Sequence, residues 1–352
     1  VVLPLHQAIG RRRVEELIGA LRDLSIGVIG DLGLDAYWYA DMTRSFLSRE
    51  TPRYPRPVVR ESYTPGAGAN VAANLKALGV GRVSVLSVLG DDWRGRILIE
   101  LLHARGIDTD SLIIAPKRHT TTFIKPILLG YDSEQEDARI DFENAEPPTV
   151  KIEHELQERV SHSIPETDGF IVTDQLEVNG VVTANIRHAL CKAASSETDT
   201  RFVVDSRCNI GEFHDMILKP NWTEAVAAVY PEKDARNCSN RELADAGITL
   251  SVRNNRPVFV TLSGNGVLVC DGPKAVQLPA ARVRSPLDPV GAGDTFISAL
   301  IAALVAGADP MEAGALASLA AGVSVEKLKE TGQASPTEIL EKYDFTKSGC
   351  NE

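Results

Sequence analysis

An α/β fold with a mainly parallel sheet, covered by helices on both faces, is the architecture this sequence predicts. Three observations carry it. Strand-like apolar runs alternate with helix-patterned segments along most of the chain. The first run, Ile26-Gly27-Val28-Ile29-Gly30, is apolar without a break, as a strand buried on both faces is. It ends in Gly30-Asp31, and the ends of such strands are where open α/β sheets bind ligands.

The elements follow in order. Ile9, Val14, Leu17, Ile18 and Leu21 recur three and four residues apart, which predicts a helix over Gln7–Leu24. After the first strand, residues 36–64 have no helical period. They hold Tyr37, Trp38 and Tyr39 and three prolines, Pro52, Pro55 and Pro57, which oppose a helix. Val58, Arg60 and Ser62 alternate as an edge strand does, so this stretch reads as an excursion from the main sheet. Gly66–Leu78 reads as a turn entering a helix, Arg82–Leu89 as a strand, Arg94–Arg105 as a helix and Leu112–Ala115 as a short strand. Thr120–Leu129 is β-branched and aromatic and reads as another strand. Residues 132–168 carry twelve acids against three bases and predict a loop and a solvated helix. Further strands are expected at Gly169–Thr173, Phe202–Asp205, Val258–Leu262 and Val267–Cys270.

Composition narrows the function classes. The 352 residues can bury a core without disulfides or structural metals. Forty-eight acids against 37 bases give a net charge of −11, which argues against nucleic-acid or anionic-membrane partners. The five cysteines are scattered without a CxxC pair, so neither a zinc site nor a disulfide framework is expected, and a cytoplasmic setting is. Residues 1–13 lack an apolar signal core, and the run near Phe296–Ala308 is too short to span a bilayer. The seven histidines form no ligand cluster.

Four local strings carry chemistry. Asp288-Pro289-Val290-Gly291-Ala292-Gly293-Asp294-Thr295 precedes an apolar helix. Small residues and a helix start make an anion site, and Asp294 beside it is placed to accept a proton from an attacking hydroxyl. The same string also fits a capped helix start with an ordinary aspartate. Pro65-Gly66-Ala67-Gly68-Ala69-Asn70 suits a pocket for a hydroxylated ligand, or a tight turn before a helix. Asn221 and Glu224 stand one helical turn apart and can face a water-coordinated cation or a phosphate; a capping box explains them equally. Thr261–Gly266 reads alone as a hairpin turn.

Taken together and in this order, the four strings resemble the ribokinase-like (PfkB) carbohydrate kinases, from about Ile26 to about Leu340. Within that family the sequence is most similar to the D-glycero-D-manno-heptose-7-phosphate kinases. Gly30-Asp31 with Leu34-Asp35, Tyr37–Asp41, Gly90-Asp91-Asp92 with Gly95, Arg139–Glu143, and Thr331-Gly332 with Ser335-Pro336 carry that likeness. The resemblance implies a single three-layer αβα domain over residues 1–352, with a small β lid from about 36–64 and 120–129. It implies an ATP-dependent sugar kinase that uses Mg²⁺. Asp294 is then the general base, and Gly291, Ala292 and Gly293 hold the anion. Asp31, Asp35, Gly66, Gly68, Asn70 and Arg139 face the sugar. Asn221 and Glu224 serve the Mg²⁺-phosphate region, with Glu224 acting through water. Ser263, Gly264 and Gly266 border the nucleotide. A homodimer through the lid is expected.

The sequence also departs from its relatives. Asp174–Gly180 lacks the lysine the heptose kinases carry there, which leaves Arg139 and Arg207 as candidates for a sugar phosphate. Ala67 replaces a usual glycine. Pro289 and Val290 replace threonines, which leaves a monovalent-cation site open. No nucleotidyltransferase half is expected in this sequence. Kinases of ribose, fructose or related sugars, and a non-catalytic binder on the same fold, are the alternatives. A dinucleotide-binding oxidoreductase is disfavoured, because Gly30-Asp31-Leu32-Gly33 lacks the Gly-x-Gly-x-x-Gly spacing.

Overall fold

Two sheets organise the chain, which passes from one to the other at the end of its first strand. The computed structural model describes residues 2–196, 200–328 and 332–349. Thr331, named above, and Cys350, the last of the five cysteines, lie outside the described residues. In chain order the strands are β1 (Ser25–Gly30), β2 (Leu32–Asp41), β3 (Val58–Ala67), β4 (Arg82–Gly90), β5 (Leu112–Ala115), β6 (Thr122–Leu129) and β7 (Glu134–Glu136). They continue as β8 (Ile140–Phe142), β9 (Gly169–Asp174), β10 (Arg201–Ser206), β11 (Ile217–Leu218), β12 (Val258–Thr261), β13 (Val267–Asp271) and β14 (Lys274–Leu278).

The large sheet runs β14-β13-β12-β11-β10-β9-β1-β4-β5, and the small one runs β3-β2-β6-β7 with β8 paired to β6. Pairing is parallel from β5 to β12. It turns antiparallel at β12–β13–β14. The loop between β12 and β13 is too short for the crossover that a parallel neighbour needs. Together these form the expected ribokinase-like α/β architecture, a large mostly parallel sheet with a small mixed sheet beside it.

Strand alternation divides the core into two apolar layers. Ile26 and Val28 of β1 face one layer, with Leu75, Phe259 and Leu300. Ile29 faces the other, with Phe170, Leu190 and Val258. Each such side chain contributes about 1.5–3 kcal/mol when fully buried.

Three expectations change. The first helix is broken: Leu5–Ala8 and Arg11–Ala20 are separate, because Ile9 and Gly10 are extended. The acidic stretch 132–168 contributes β7 and β8 to the small sheet before its helix, Val150–Ser163. β7 is Glu-Gln-Glu, fully exposed, and β8 is only the three residues Ile-Asp-Phe, too short for an apolar period to announce it. β2 starts two residues after β1 ends, so the chain passes directly from the large sheet to the small one. Gly30 makes that turn at φ +130°, where a Cβ would lie 2.1 Å from the Thr173 carbonyl oxygen.

Ala67 closes β3 at φ 48°, ψ −134°, a conformation that suits glycine. Strain of this kind costs about 1–3 kcal/mol. Ala67→Gly is therefore expected to raise stability by about 1 kcal/mol after the entropy glycine adds to the unfolded chain. Urea unfolding checks this; a lower midpoint in the variant contradicts it.

Candidate active site

The site forms where β1, β9, β10 and β11 end and two helices begin. Helix Gly68–Ala77 starts directly after β3. Helix Ala292–Val305 starts after Gly291, a left-handed N-cap at φ 79°. Three polar contacts tie these helices together. Asn70 Nδ2 donates to Asp294 Oδ2 at 2.7 Å, Thr295 Oγ1 to Asn74 Oδ1 at 2.8 Å, and Ser298 Oγ to the Val71 carbonyl at 3.0 Å. Asn74 in turn donates to the Asn70 carbonyl at 2.9 Å. Asn70 is buried, so its amide direction is fixed and Asp294 is held from one side.

Gln175 holds the other carboxylate oxygen. Its Nε2 lies 3.4 Å from Asp294 Oδ1. Loss of water pushes the Asp294 carboxyl up to about 6, against the lowering effect of Asn70.

At the same helix start, the Ala292 amide donates to the Pro289 carbonyl at 3.2 Å. The amides of Gly291, Gly293 and Asp294 have no hydrogen-bond partner among the described residues. Three open N–H groups at a helix N-terminus make an anion site. Lys219 lies beside it: its Nζ is 3.8 Å from where a Cβ on Gly293 would stand. Lys219 is buried and pairs with Asp205 Oδ1 at 3.2 Å. Burial works against its charge, but Asp205, Glu224 and Asp294 outweigh that and hold the ammonium above its usual value.

Asn221 and Glu224 form a full capping box. Asn221 Oδ1 accepts from the amides of Thr223 and Glu224, both at 2.9 Å. The Asn221 amide and Nδ2 donate to Glu224 Oε2 and Oε1, both at 2.7 Å. Burial, and then Asp205, push Glu224 up to about 7. With both its oxygens occupied, Glu224 suits a cation held through its hydration shell rather than by direct ligation.

The sugar-facing candidates cluster at the start of β2. Asp31 is buried and accepts three backbone N–H bonds, from Gln175 at 3.0 Å, Leu176 at 2.9 Å and Val181 at 2.6 Å. Burial raises it to about 6 despite these bonds. A carboxylate offers about four lone-pair sites, so roughly one stays open. Asp35 sits beside Gly66, where a Cβ would come within 2.7 Å of its Oδ1. At Gly68 a Cβ would likewise come within 2.5 Å of Thr173 Oγ1. Burial raises Asp35, opposed by Lys125 and Arg139. Lys125 Nζ reaches Asp35 Oδ2 at 3.1 Å and Tyr37 Oη at 3.2 Å. Arg139 forms a fork to Asp141, with both bonds 2.7 Å, and lies over the Phe123 ring. Arg207 is exposed.

A cleft of about 440 Å³ opens from the helix start and runs along Ser263, Gly264 and Gly266 on one side and Ala281, Val283 and Val325 on another. The structure thus brings Gly293, Ala292, Ser263, Gly264 and Gly266 to one cleft. Asn70 lies against Asp294, with Asp31 behind Gln175.

Sequence reasoning passed over Lys219, Gln175 and Lys125. Lys219 follows directly on a strand end and precedes Pro220-Asn221, a position that marks it. Lys125 and Tyr37 are cross-strand partners, a register visible only once β2 pairs with β6.

A model of the pfkB family of carbohydrate kinases matches residues 42–338. The "Bifunctional protein HldE" of Trichlorobacter lovleyi is 32% identical over 333 residues. That match covers 94% of this chain, and the chain spans 65% of the relative's length. Phosphofructokinase-2 from Escherichia coli in complex with fructose-6-phosphate superposes with a TM-score of 0.70 at 17% identity. It covers 92% of this chain and 99% of its own. Ribokinase of Arabidopsis thaliana complexed with ribose and ATP superposes with a TM-score of 0.66 at 18% identity, covering 91% and 98%.

The raised Asp294 carboxyl has a consequence for stability. Between about pH 4 and pH 6 the folded protein binds this proton more tightly than the unfolded chain does. The ionised carboxylate therefore costs stability, increasingly up to about pH 6 and constantly above it. Asp294→Asn removes the cost. The variant should be more stable than the parent at pH 8, with the gap narrowing toward pH 4. Thermal melts at both pH values check it; a variant less stable at pH 8 contradicts it.

Proposed function

The chain belongs to the pfkB family of carbohydrate kinases, phosphotransferases with an alcohol acceptor, and we propose that it moves the γ-phosphoryl of ATP onto a hydroxyl of a sugar phosphate of the heptose-7-phosphate class. The observation that carries the mechanism is the pairing of Asp294 with open amides on one helix turn. A base and an anion site then share the first turn of one helix.

Asp294 takes the proton of the sugar hydroxyl as the oxygen attacks phosphorus. Asn70 and Gln175 hold its two oxygens, so the carboxylate does not turn away from the acceptor. The amides of Gly291, Gly293 and Asp294 receive the charge that develops on the phosphoryl oxygens, with Ala292 shaping the same turn. Lys219 adds a fixed positive charge beside them and spends nothing on reorganisation. Asn221 and Glu224 would hold the hydration shell of a nucleotide-bound Mg²⁺, which would neutralise charge on the phosphate oxygens. Asp35, Asn70 and the free lone pair of Asp31 accept sugar hydroxyls, while Gly66 and Gly68 leave the room that Asp35 and Thr173 occupy at that wall. Lys125 and Arg139 supply positive charge on the lid side. Asp31 also acts through the 175–181 loop, because it fixes Gln175.

The HldE likeness favours the heptose phosphate among the family's sugars. Lys125 supports that choice, because it offers a cation on the small sheet, beside Asp35, to a sugar phosphate. Exposed Phe46, Leu47, Tyr54 and Tyr131 beside the small sheet suit a second copy of the chain packed on the lid. Light scattering on a sizing column should give twice the chain mass, and a strictly monomeric protein overturns the pairing.

Phosphate transfer from ATP, measured over heptose 7-phosphate, ribose, fructose and fructose phosphates, tests the reaction. Heptose 7-phosphate is expected to have the highest kcat/KM; a faster ribose or fructose reaction transfers the assignment to that sugar. Asp294→Asn should lower kcat by about 10²- to 10⁴-fold. Because Asp294 must be ionised to act and titrates at about 6, kcat/KM of the parent should fall as pH drops below that value. A variant with parental turnover, or a flat profile from pH 5 to 8, removes Asp294 as the base.

A further inference from the structure

We propose that Arg118 is a positioning residue for this reaction: it holds the tip of the 175–181 loop, and through Gln175 it keeps the Asp294 carboxylate in place. The inference rests on the kinase reading above and adds a residue that reading does not use.

The loop touches both buried acids of the site. The amides of Gln175, Leu176 and Val181 all donate to Asp31, so Asp31 fastens the loop at its two ends. Gly180 packs against the same carboxylate; a Cβ there would come within 2.9 Å of Asp31 Oδ1. Gln175 Nε2 reaches Asp294 Oδ1 at 3.4 Å, a long contact that a small shift of the loop would break. Between the two ends, Glu177 and Val178 are exposed and Asn179 is left-handed at φ 56°.

Arg118 meets this tip from the turn between β5 and β6. Its Nη2 donates to the Asn179 carbonyl and its Nη1 to the Glu146 carbonyl, both at 2.9 Å. Beside it, Asn179 Nδ2 donates to the Asn144 carbonyl at 2.8 Å. The Asn144 side chain in turn accepts from the His119 amide at 2.8 Å and donates to the His119 carbonyl at 3.0 Å. The turn before β6, residues 144–146 and the loop are thus tied at one guanidinium. The turn itself is anchored to the end of β4. Thr120 Oγ1 accepts from the Gly90 amide at 3.0 Å, and the Thr120 amide donates to Asp92 Oδ2 at 3.1 Å.

Packing alone does not call for an arginine here. Arg118 is buried, and its hydrogen bonds go to two carbonyls rather than to a carboxylate. Its Nε has no partner. Burial works against its charge, and Asp31 is the acid that favours it. An apolar side chain of similar volume would avoid the cost of burying a cation. What it could not do is span the two carbonyls, which takes the planar fork of a guanidinium. Without the fork the tip is freed while Asp31 still holds the ends. The fold then stands, but Gln175 loses its fixed reach to Asp294. Misplacing a group at a reacting centre by 1 Å can cost about 10²-fold in rate.

Initial rates of Arg118→Met, Gln175→Ala and the double variant test this. Arg118→Met is expected to lower kcat by about 10- to 10²-fold. The KM for ATP should stay within about twofold of the parent's. In the Gln175→Ala background the same substitution should cost less than about threefold, because the contact it supports is already gone. Losses that multiply, as a merely structural role would give, overturn the inference, and so does a raised ATP KM with parental kcat. Arg118→Lys keeps the charge and the stem but not the fork, and the same cycle is read on it where the methionine variant does not fold. Hydrogen exchange reads the tether without catalysis. The 175–181 segment should exchange about tenfold faster in the variant, with helix Ala292–Val305 unchanged; equal exchange in the loop overturns the inference. A parent that transfers phosphate to no sugar counts against the kinase reading instead, and the exchange rates then still decide whether Arg118 fixes the loop.

Discussion

Everything at the candidate site depends on the contact between two helix starts, Gly68–Ala77 and Ala292–Val305. Small buried residues at Ala69, Ala72 and Ala73 on one side, and at Ala299, Ala302 and Ala303 on the other, let the two backbones approach. The polar contacts Asn70–Asp294, Asn74–Thr295 and Ser298–Val71 then fix their rotation. Without that lock, Asp294 would be a flexible acid at an exposed helix start. With it, a carboxylate stands beside open amides, oriented and deprived of water. The same deprivation that raises its pKa makes the site a local cost to the fold, the usual relation between a reactive site and stability.

Charge is distributed against the overall balance. The chain carries −11, yet residues 132–168 alone hold twelve acids and three bases. Part of that acidity lies on β7 and β8 of the small sheet rather than on the helix start at Gly291–Asp294. At that start the positive field comes from backbone N–H groups and from one buried ammonium, Lys219. Counting charged side chains misses the first contribution, and averaging over the chain hides the second. Asp205 and Glu224 keep Lys219 charged despite its burial, so these acids help a cation to persist in a closed space.

Much of this was legible in the sequence, for identifiable reasons. β1, β9 and β10 are continuous apolar runs, and burial on both faces leaves no other reading. The small sheet was legible as an excursion, because Pro52, Pro55 and Pro57 exclude a helix. Its outer strands were not, because β7 exposes Glu134 and Glu136 to solvent, and β8, at three residues, is too short to show a period. The strings Gly66–Asn70, Asn221–Glu224 and Asp288–Asp294 could be placed at helix starts by local rules alone. What each touches could not. Asn70 and Asp294 are 224 residues apart. Nor does spacing reveal that Asp31 spends most of its acceptor capacity on the 175–181 loop. Ala67 is the reverse case: a departure visible in the sequence whose meaning, a strained turn, needed the backbone angles.

Whether Asp294 acts as the base depends on where the acceptor hydroxyl lies. The most direct measurement is a crystal structure of the protein with ADP, Mg²⁺ and heptose 7-phosphate bound together. The prediction is a sugar hydroxyl oxygen within about 2.6–3.2 Å of an Asp294 carboxylate oxygen, with the nucleotide's terminal phosphate directed at the amides of Gly291 and Gly293. A sugar bound with no hydroxyl near Asp294, or phosphates directed away from that helix start, would contradict it.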